Sequence, residues 1–286
     1  MNFSKVIEID IWSKFGCFTK PDSTSGGFLT YLIPPKTSII GIIGAILGYD
    51  FDEFEKKDES INKYKIEELY DIKISIQPLF DLKTKRVTFN RVSGTTEKTK
   101  IQNIHQDILI NPYYKLFISF PDYLKDKEDL FLKRLENHET IYYLYMGRNE
   151  FPLSYEKCNV FDYESKIIDS GNSQQFFDNG EKIYGFIDRE NISEVELKAI
   201  DKNALNDDTI IFQFKKNNEM KLKSFYEYII PEYPIKRSNF TDFAYSEISF
   251  YTEDNFKDCY FSRLYLKNNS SVELVKFGDH EWILMI

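Results

Sequence analysis

The sequence predicts an α+β protein whose first half runs strand, helix, strand, strand, helix, strand and whose second half is β-rich. Three observations carry this. Apolar and polar residues alternate from Lys5 to Trp12, an apolar run of helical length fills Ser38 to Gly48, and a second amphipathic stretch spans Asp126 to His138 between further strand-like runs. The element order is the ferredoxin-like βαββαβ pattern, with a basic insertion joining its two middle strands. The chain has 286 residues, 42% hydrophobic and 16% aromatic, with 12 Gly and 9 Pro. This excludes a collagen-like, linker-rich or wholly disordered chain and fits one large domain or two modest ones, 1–148 and 149–286.

Val6, Glu8 and Asp10 alternate with Ile7, Ile9 and Ile11, which predicts a first strand with one buried face. A loop follows, punctuated by Gly26-Gly27 and Pro34-Pro35. Thr37 or Ser38 then caps a helix that Gly48 closes. Gly41 and Gly44 each cost about 1 kcal/mol of helix propensity, so they imply a face pressed against a sheet, another chain or a polynucleotide backbone, or a thinned face inside the core. Asp71 to Phe80 is a second strand, and Lys115 to Phe120 a third. Between them, Asp81 to His105 holds six cations against two carboxylates, a net of +4 in a chain of −9 that leaves −13 elsewhere. It reads as a hairpin or a flexible loop projecting from the body.

The helix at Asp126 to His138 is expected to turn Leu130, Phe131 and Leu135 inward, and Thr140 to Gly147 to supply the fourth strand. Beyond Arg148, strand-like runs recur at Lys182–Asp188, Thr209–Lys215, Phe243–Tyr251 and Trp282–Ile286, and Tyr260 to Trp282 reads as a hairpin or a longer loop.

The chemistry is defined largely by exclusion. Cys17, Cys158 and Cys259 form no CxxC pair, so neither a disulfide scaffold nor a zinc knuckle is indicated, and a cytoplasmic location is expected. Asp10 interrupts the first apolar run, so no secretory signal is expected, and Ile39 to Gly48 falls short of the ~20 residues of a membrane span. His105, His138 and His280 have no metal-ligand spacing, and there is no nucleophile elbow or phosphate loop. The acidic stretches at 52–59 and 201–208 read as solvated faces in preference to Mg²⁺ sites. No metal or cofactor is expected. A metal-free ribonuclease would use His105 as base with Lys100 or Tyr113 as charge stabiliser. The acidic total argues against a free-standing, nonspecific nucleic-acid binder, whereas the basic excursion around Phe89 suits a local RNA contact.

Phe15 to Phe18 (FGCF), Tyr31 to Gly48 (YLIPPKTSIIGIIGAILG), HQDILINPYYKLF from His105 and YYLYMGRNEFP from Tyr142 together resemble the subtype I-B branch of the CRISPR-associated Cas-five family, over about the first 155 residues. The resemblance implies a RAMP-superfamily, RRM-like N-terminal domain with a protruding thumb at Asp81 to His105 and a smaller β-rich C-terminal domain. It implies a noncatalytic subunit of the type I surveillance complex, Cascade, that caps the 5′ handle of the guide RNA (crRNA). Its partners would be the large subunit and the first backbone subunit, with target DNA met through the complex and no membrane. On this resemblance Lys36, Ser38, Arg86, Arg91, Lys98, Lys100 and Arg148 face RNA, and Gly41, Gly44 and Gly48 admit a backbone. Members of another subtype cleave precursor RNA, which keeps a metal-independent endoribonuclease as the alternative, with a purely structural adaptor as the third reading.

Overall fold

A computed structural model describes residues 3, 5–21, 23, 27–50, 57–58, 63–79, 82–93, 100–199, 225–237, 242–253, 259–278 and 281–286. Its first half contains β1 (Lys5–Trp12), α1 (Lys36–Leu47), β2 (Lys73–Pro78), β3 (Lys83–Ser93), β4 (Lys100–Ile110), β5 (Tyr113–Ser119), α2 (Lys125–Glu136) and β6 (Ser154–Asp162). Strands β6, β1, β5 and β2 form one antiparallel sheet in that order. Counting its strands along the chain, the order is 4-1-3-2, as the βαββαβ pattern requires.

The fourth strand is β6, not the expected Thr140–Gly147. After Thr140, that segment is an unbroken run of apolar and aromatic residues, but its backbone is engaged piecemeal: Tyr142 N–H donates to Ala45 O at 3.2 Å, Cys17 N–H to Met146 O at 3.0 Å and Met146 N–H to Phe151 O at 2.7 Å. It therefore runs as a strap from α1 to the FGCF segment. Gly147 makes this possible. With φ +84°, its α-carbon lies so close to the Cys17 carbonyl that an added Cβ would stand 2.2 Å from that oxygen. The last strand of the sheet lies beyond residue 148, so the sheet draws on both sides of the expected domain boundary.

Strand β1 departs from expectation by burying both faces. Ile7, Ile9 and Ile11 enter the cluster that includes Ile39, Ile43 and Ile46 of α1 and Phe131 and Leu135 of α2. Val6 on the other face joins Phe117, Val275, Phe277 and Ile283. On α2 the inward row is Leu124, Glu128, Phe131 and Leu135, while Leu130 is exposed because it lies a helical quarter-turn off that row. Glu128 is matched by Lys125.

Helix α1 starts at Lys36 with Pro35 as its N-cap, ahead of the expected Thr37 or Ser38, and no side chain caps it. Proline presets the entry dihedral, and Pro35 O accepts from Ser38 and Ile39 N–H. Two tyrosine hydroxyls hold the segment before it, Tyr114 on Leu32 O at 2.5 Å and Tyr233 on Pro34 O at 2.8 Å. Gly48 closes the helix in the left-handed region.

The second half supplies β7 (Glu164–Asp169), α3 (Ser173–Asp178), β8 (Lys182–Tyr184), β9 (Ile187–Asp188), β10 (Ile192–Ala199), β11 (Phe225–Arg237), β12 (Phe243–Glu253), β13 (Cys259–Leu266), β14 (Ser271–Phe277) and β15 (Glu281–Leu284). A mixed six-stranded sheet, β7-β14-β15-β8-β13-β10, packs on the first sheet through contacts such as Phe117 against Phe277. Strands β13 and β14 are not neighbours, so Tyr260–Trp282 is not one hairpin; the paired strands are β14 and β15. The expected run at 209–215 lies outside the described residues. Among the described residues, no helix is long and apolar enough to cross a membrane.

Lys36 is a structural cation, contrary to the expected RNA-facing role. It is 7% exposed and donates to the main-chain oxygen of Ile286 at 3.1 Å. Ile286 itself exchanges two backbone bonds with Ile74 of β2. Burial pushes the Lys36 ammonium down to about 8. The unfolded chain then holds a proton that the folded chain has lost between about pH 8 and about pH 10.5, so this group's contribution to stability rises with pH across that window and its full cost stands below it. In Lys36→Met that cost disappears. Urea unfolding at a series of pH values is expected to show the variant's stability relative to the parent falling by about 3 kcal/mol from pH 7 to above 10.5; parallel curves would refute the assignment. The strap yields a second expectation. Gly147→Ala should lose well over the ~1–2 kcal/mol of a left-handed alanine, whereas Gly180→Ala, at φ +82° with open space around it, should lose only that amount in the same unfolding assay.

Candidate nucleic-acid interface

Strands β3 and β4 pair antiparallel over their full length, Lys83 opposite Ile110 through Ser93 opposite Lys100. Among the described residues, only the base of this ribbon has further pairing. Phe15–Gly16 pairs Leu109 and Ile110, and Phe28 bridges Gln106 with backbone bonds of 2.7 Å to His105 O and 2.8 Å from Asp107 N–H. The excursion predicted at Asp81 to His105 is thus a hairpin that extends to Ile110.

Residues opposite one another in an antiparallel pair share a face. One register set contains Lys83, Lys85, Val87, Phe89, Arg91 and Ser93, with Ile110, Ile108, Gln106, Ile104, Gln102 and Lys100 opposite in turn. Lys83 and Lys85 are exposed, and Phe89 is 38% exposed beyond a half-buried Val87 and Ile104. The other set contains Thr84, Arg86, Thr88 and Asn90 opposite Leu109, Asp107, His105 and Asn103. From Arg86 to Asn90 this second face is polar and internally matched, and it continues to Val92 opposite an exposed Ile101. Arg86 grips Asp107 with two bonds, 2.8 and 3.1 Å, and Thr88 Oγ1 pairs His105 Nδ1 at 2.8 Å. The guanidinium holds the Asp107 carboxyl below its usual range. Arg86 therefore remains 64% exposed on its side chain, yet its charge is already matched by a carboxylate that lies two residues past the predicted excursion.

The other predicted residues divide among three places. Arg91 and Lys100 occupy register positions in the Lys83–Lys85 set, and Lys98 lies outside the described residues. Ser38 is half-buried in the first turn of α1. Gly41 has no heavy atom within 4 Å of where a Cβ would sit, so nothing inside the described structure requires glycine there; Gly44 is buried, and its carbonyl receives Gly48 and Tyr49 N–H. The strap passes nearby, with Tyr142 and Tyr143 exposed.

Arg148 sits at the hairpin's root. It donates to Gln106 Oε1 at 3.2 Å and Thr19 Oγ1 at 3.3 Å, and its guanidinium lies 4.8 Å from the Phe28 ring centre. Phe28, Thr19 and Gln106 carry no recognisable motif, and only the register of β4 brings them together.

Of the residues of the ribonuclease alternative, Lys100 shares β4 with His105 but falls in the other register set, and Tyr113 belongs to a different sheet. His105 stands on the hairpin, whereas the Tyr113 hydroxyl, on β5, donates to Glu156 at 2.7 Å and Asp10 at 3.3 Å. Burial and these carboxylates raise the phenol well above its ordinary range. A hydroxyl set between two carboxylates is in a field that disfavours phosphate.

Residues 6–175, more than half of the chain, match the family model described as CRISPR-associated protein (Cas_Cas5). Among solved structures, the chain is similar to a CRISPR protein from Archaeoglobus fulgidus at 12% identity and a TM-score of 0.46, with 98% of each chain covered. It is also similar to a chain of a CRISPR RNA-guided surveillance complex at 10% identity and a TM-score of 0.43, over 87% of this chain and 90% of that one. No curated protein sequence matches it. The family match covers β1 through α3 and includes the whole hairpin with its root, and on that match the chain belongs to the CRISPR-associated Cas_Cas5 family.

Proposed function

We propose that this chain is a noncatalytic crRNA-binding subunit of a type I-B CRISPR surveillance complex, where it caps the 5′ handle of the guide RNA and anchors the large subunit and the first backbone subunit. The observation that carries this reading is the two-faced hairpin, whose cations recur at one register set while Asp107 and His105 fall in the other. A ribbon so arranged offers a polyanion one basic, part-apolar face, with phosphate contacts supplying affinity. The acidic remainder of the chain discourages indiscriminate binding and suits protein partners. Family membership supports the same reading. The open position at Gly41 suits close approach of a partner's backbone.

Replacing Lys83, Lys85 and Lys100 together by alanine is expected to cut guide-RNA retention in the assembled complex at least tenfold. The variant chain should keep its unfolding midpoint, because Lys83 and Lys85 stand exposed. Unchanged retention in a pull-down with labelled guide RNA would defeat the hairpin assignment. Incubated with repeat RNA in EDTA, the unsubstituted chain is expected to yield no cleavage product; specific cleavage that disappears in His105→Ala would establish the processing enzyme instead.

A further inference from the structure

At the hairpin root, two hydrogen-bond donors from distant parts of the chain meet without an anionic acceptor. Gln106 is 4% exposed, and its Nε2 has no hydrogen-bond partner. Its Oε1 is held by Arg148, which fixes which end of the amide is which and leaves the unpartnered N–H₂ beside the guanidinium. A buried amide donor in that condition is costly. Arg86, Arg189 and Arg263 each face a carboxylate. Arg134 is held by the Ile46 carbonyl at 2.6 Å, whereas Arg148 has among the described residues only two neutral side-chain acceptors at the long end of the hydrogen-bond range. Phe28 fixes its plane from one side.

An unpartnered amide donor and a guanidinium held only by neutral acceptors define the complement: a group that accepts only and carries negative charge. An oxyanion meets both, since charge-assisted bonds to a guanidinium are shorter and stronger than the neutral ones now made. We propose that Arg148 and Gln106, braced by Phe28 and Thr19, form a receptor for one phosphodiester of the guide RNA. The guanidinium swings from Gln106 Oε1 and Thr19 Oγ1 onto the phosphate, and the move opens the Gln106 amide to a second phosphate oxygen. This rests on the RNA-binding reading above and adds a fixed anchoring point at the root of the hairpin.

The test uses the full chain, a labelled single-stranded RNA oligonucleotide of the cognate repeat, and the same oligonucleotide with neutral methylphosphonate linkages. Arg148→Gln is expected to weaken binding about tenfold and to reduce the slope of log affinity against log salt by about 0.7, the share of one single-strand phosphate. Gln106→Glu gives Arg148 a carboxylate, so affinity should fall about as far while the melting temperature holds or rises, a combination that lost packing would not produce. Gln106→Leu should likewise bind less without melting earlier. The Arg148→Gln/Gln106→Glu double variant should be no weaker than the worse single one, and no variant should differ from the parent on methylphosphonate RNA. Parental affinity in Gln106→Glu and Gln106→Leu, or fully additive losses, would overturn the receptor. If the triple lysine variant loses RNA while the Gln106 variants keep it, the receptor fails and the hairpin reading stands. Absence of any RNA binding by the parent chain, alone and in the complex, overturns both.

Discussion

Strand β1 is buried on both faces, and most of the first half is organised around satisfying it. Its isoleucines need only apolar neighbours, which the two helices provide. Its other face carries Glu8 and Asp10, and buried carboxylates demand specific partners. Lys115 of β5 lies 3.2 Å from Glu8, Asn159 of β6 donates to Glu8 at 3.2 Å, and Tyr113 of β5 reaches Asp10. Polar contacts therefore reinforce the register that hydrophobic alternation alone would leave to packing. Because β4 runs into β5 through Asn111 and Pro112, both bonded to the end of β1 at Lys14 and Ser13, that register also positions the hairpin.

Periodicity made β1, α1, β2, β5 and α2 legible in the sequence, since each places apolar residues at the interval its geometry demands. The fourth strand was not legible. Thr140–Gly147 is richer in apolar and aromatic residues than Ser154–Asp162, but composition cannot register that Gly147 is jammed against the Cys17 carbonyl, and an edge strand with a largely exposed face carries little hydrophobic signal. The start of α1 was misplaced because hydroxyl residues attract the cap assignment even where a proline pair already sets the entry.

The candidate interface was legible as a charge excess and illegible as a surface. Counting cations found the hairpin, yet only the pairing of β3 with β4 separates Lys83 and Lys85 from Arg86, whose charge Asp107 matches from 21 residues away. Lys36 and Arg148 are both cations flanked by loop-like sequence, and they end in opposite conditions, one spent inside the fold on Ile286 and the other poised at a junction. Gln106 bears no charge and lies in no motif. Burial gives its amide significance, and burial is a property of the assembled fold.

The backbone bonds between Ile286 and Ile74 have a bearing on how this chain behaves before it meets a partner. They occupy part of the outer edge of β2, where another strand would otherwise add. Among the described residues, the outer strand of the hairpin, β3, has no such cover within its sheet and offers a long row of main-chain donors and acceptors. Lys83, Lys85 and Arg86 line that edge, and charged side chains along an edge strand oppose strand-on-strand stacking between copies. The cations along this edge thus act as its anti-aggregation guard, and a polyanion that neutralised them would remove the guard only while covering the ribbon itself.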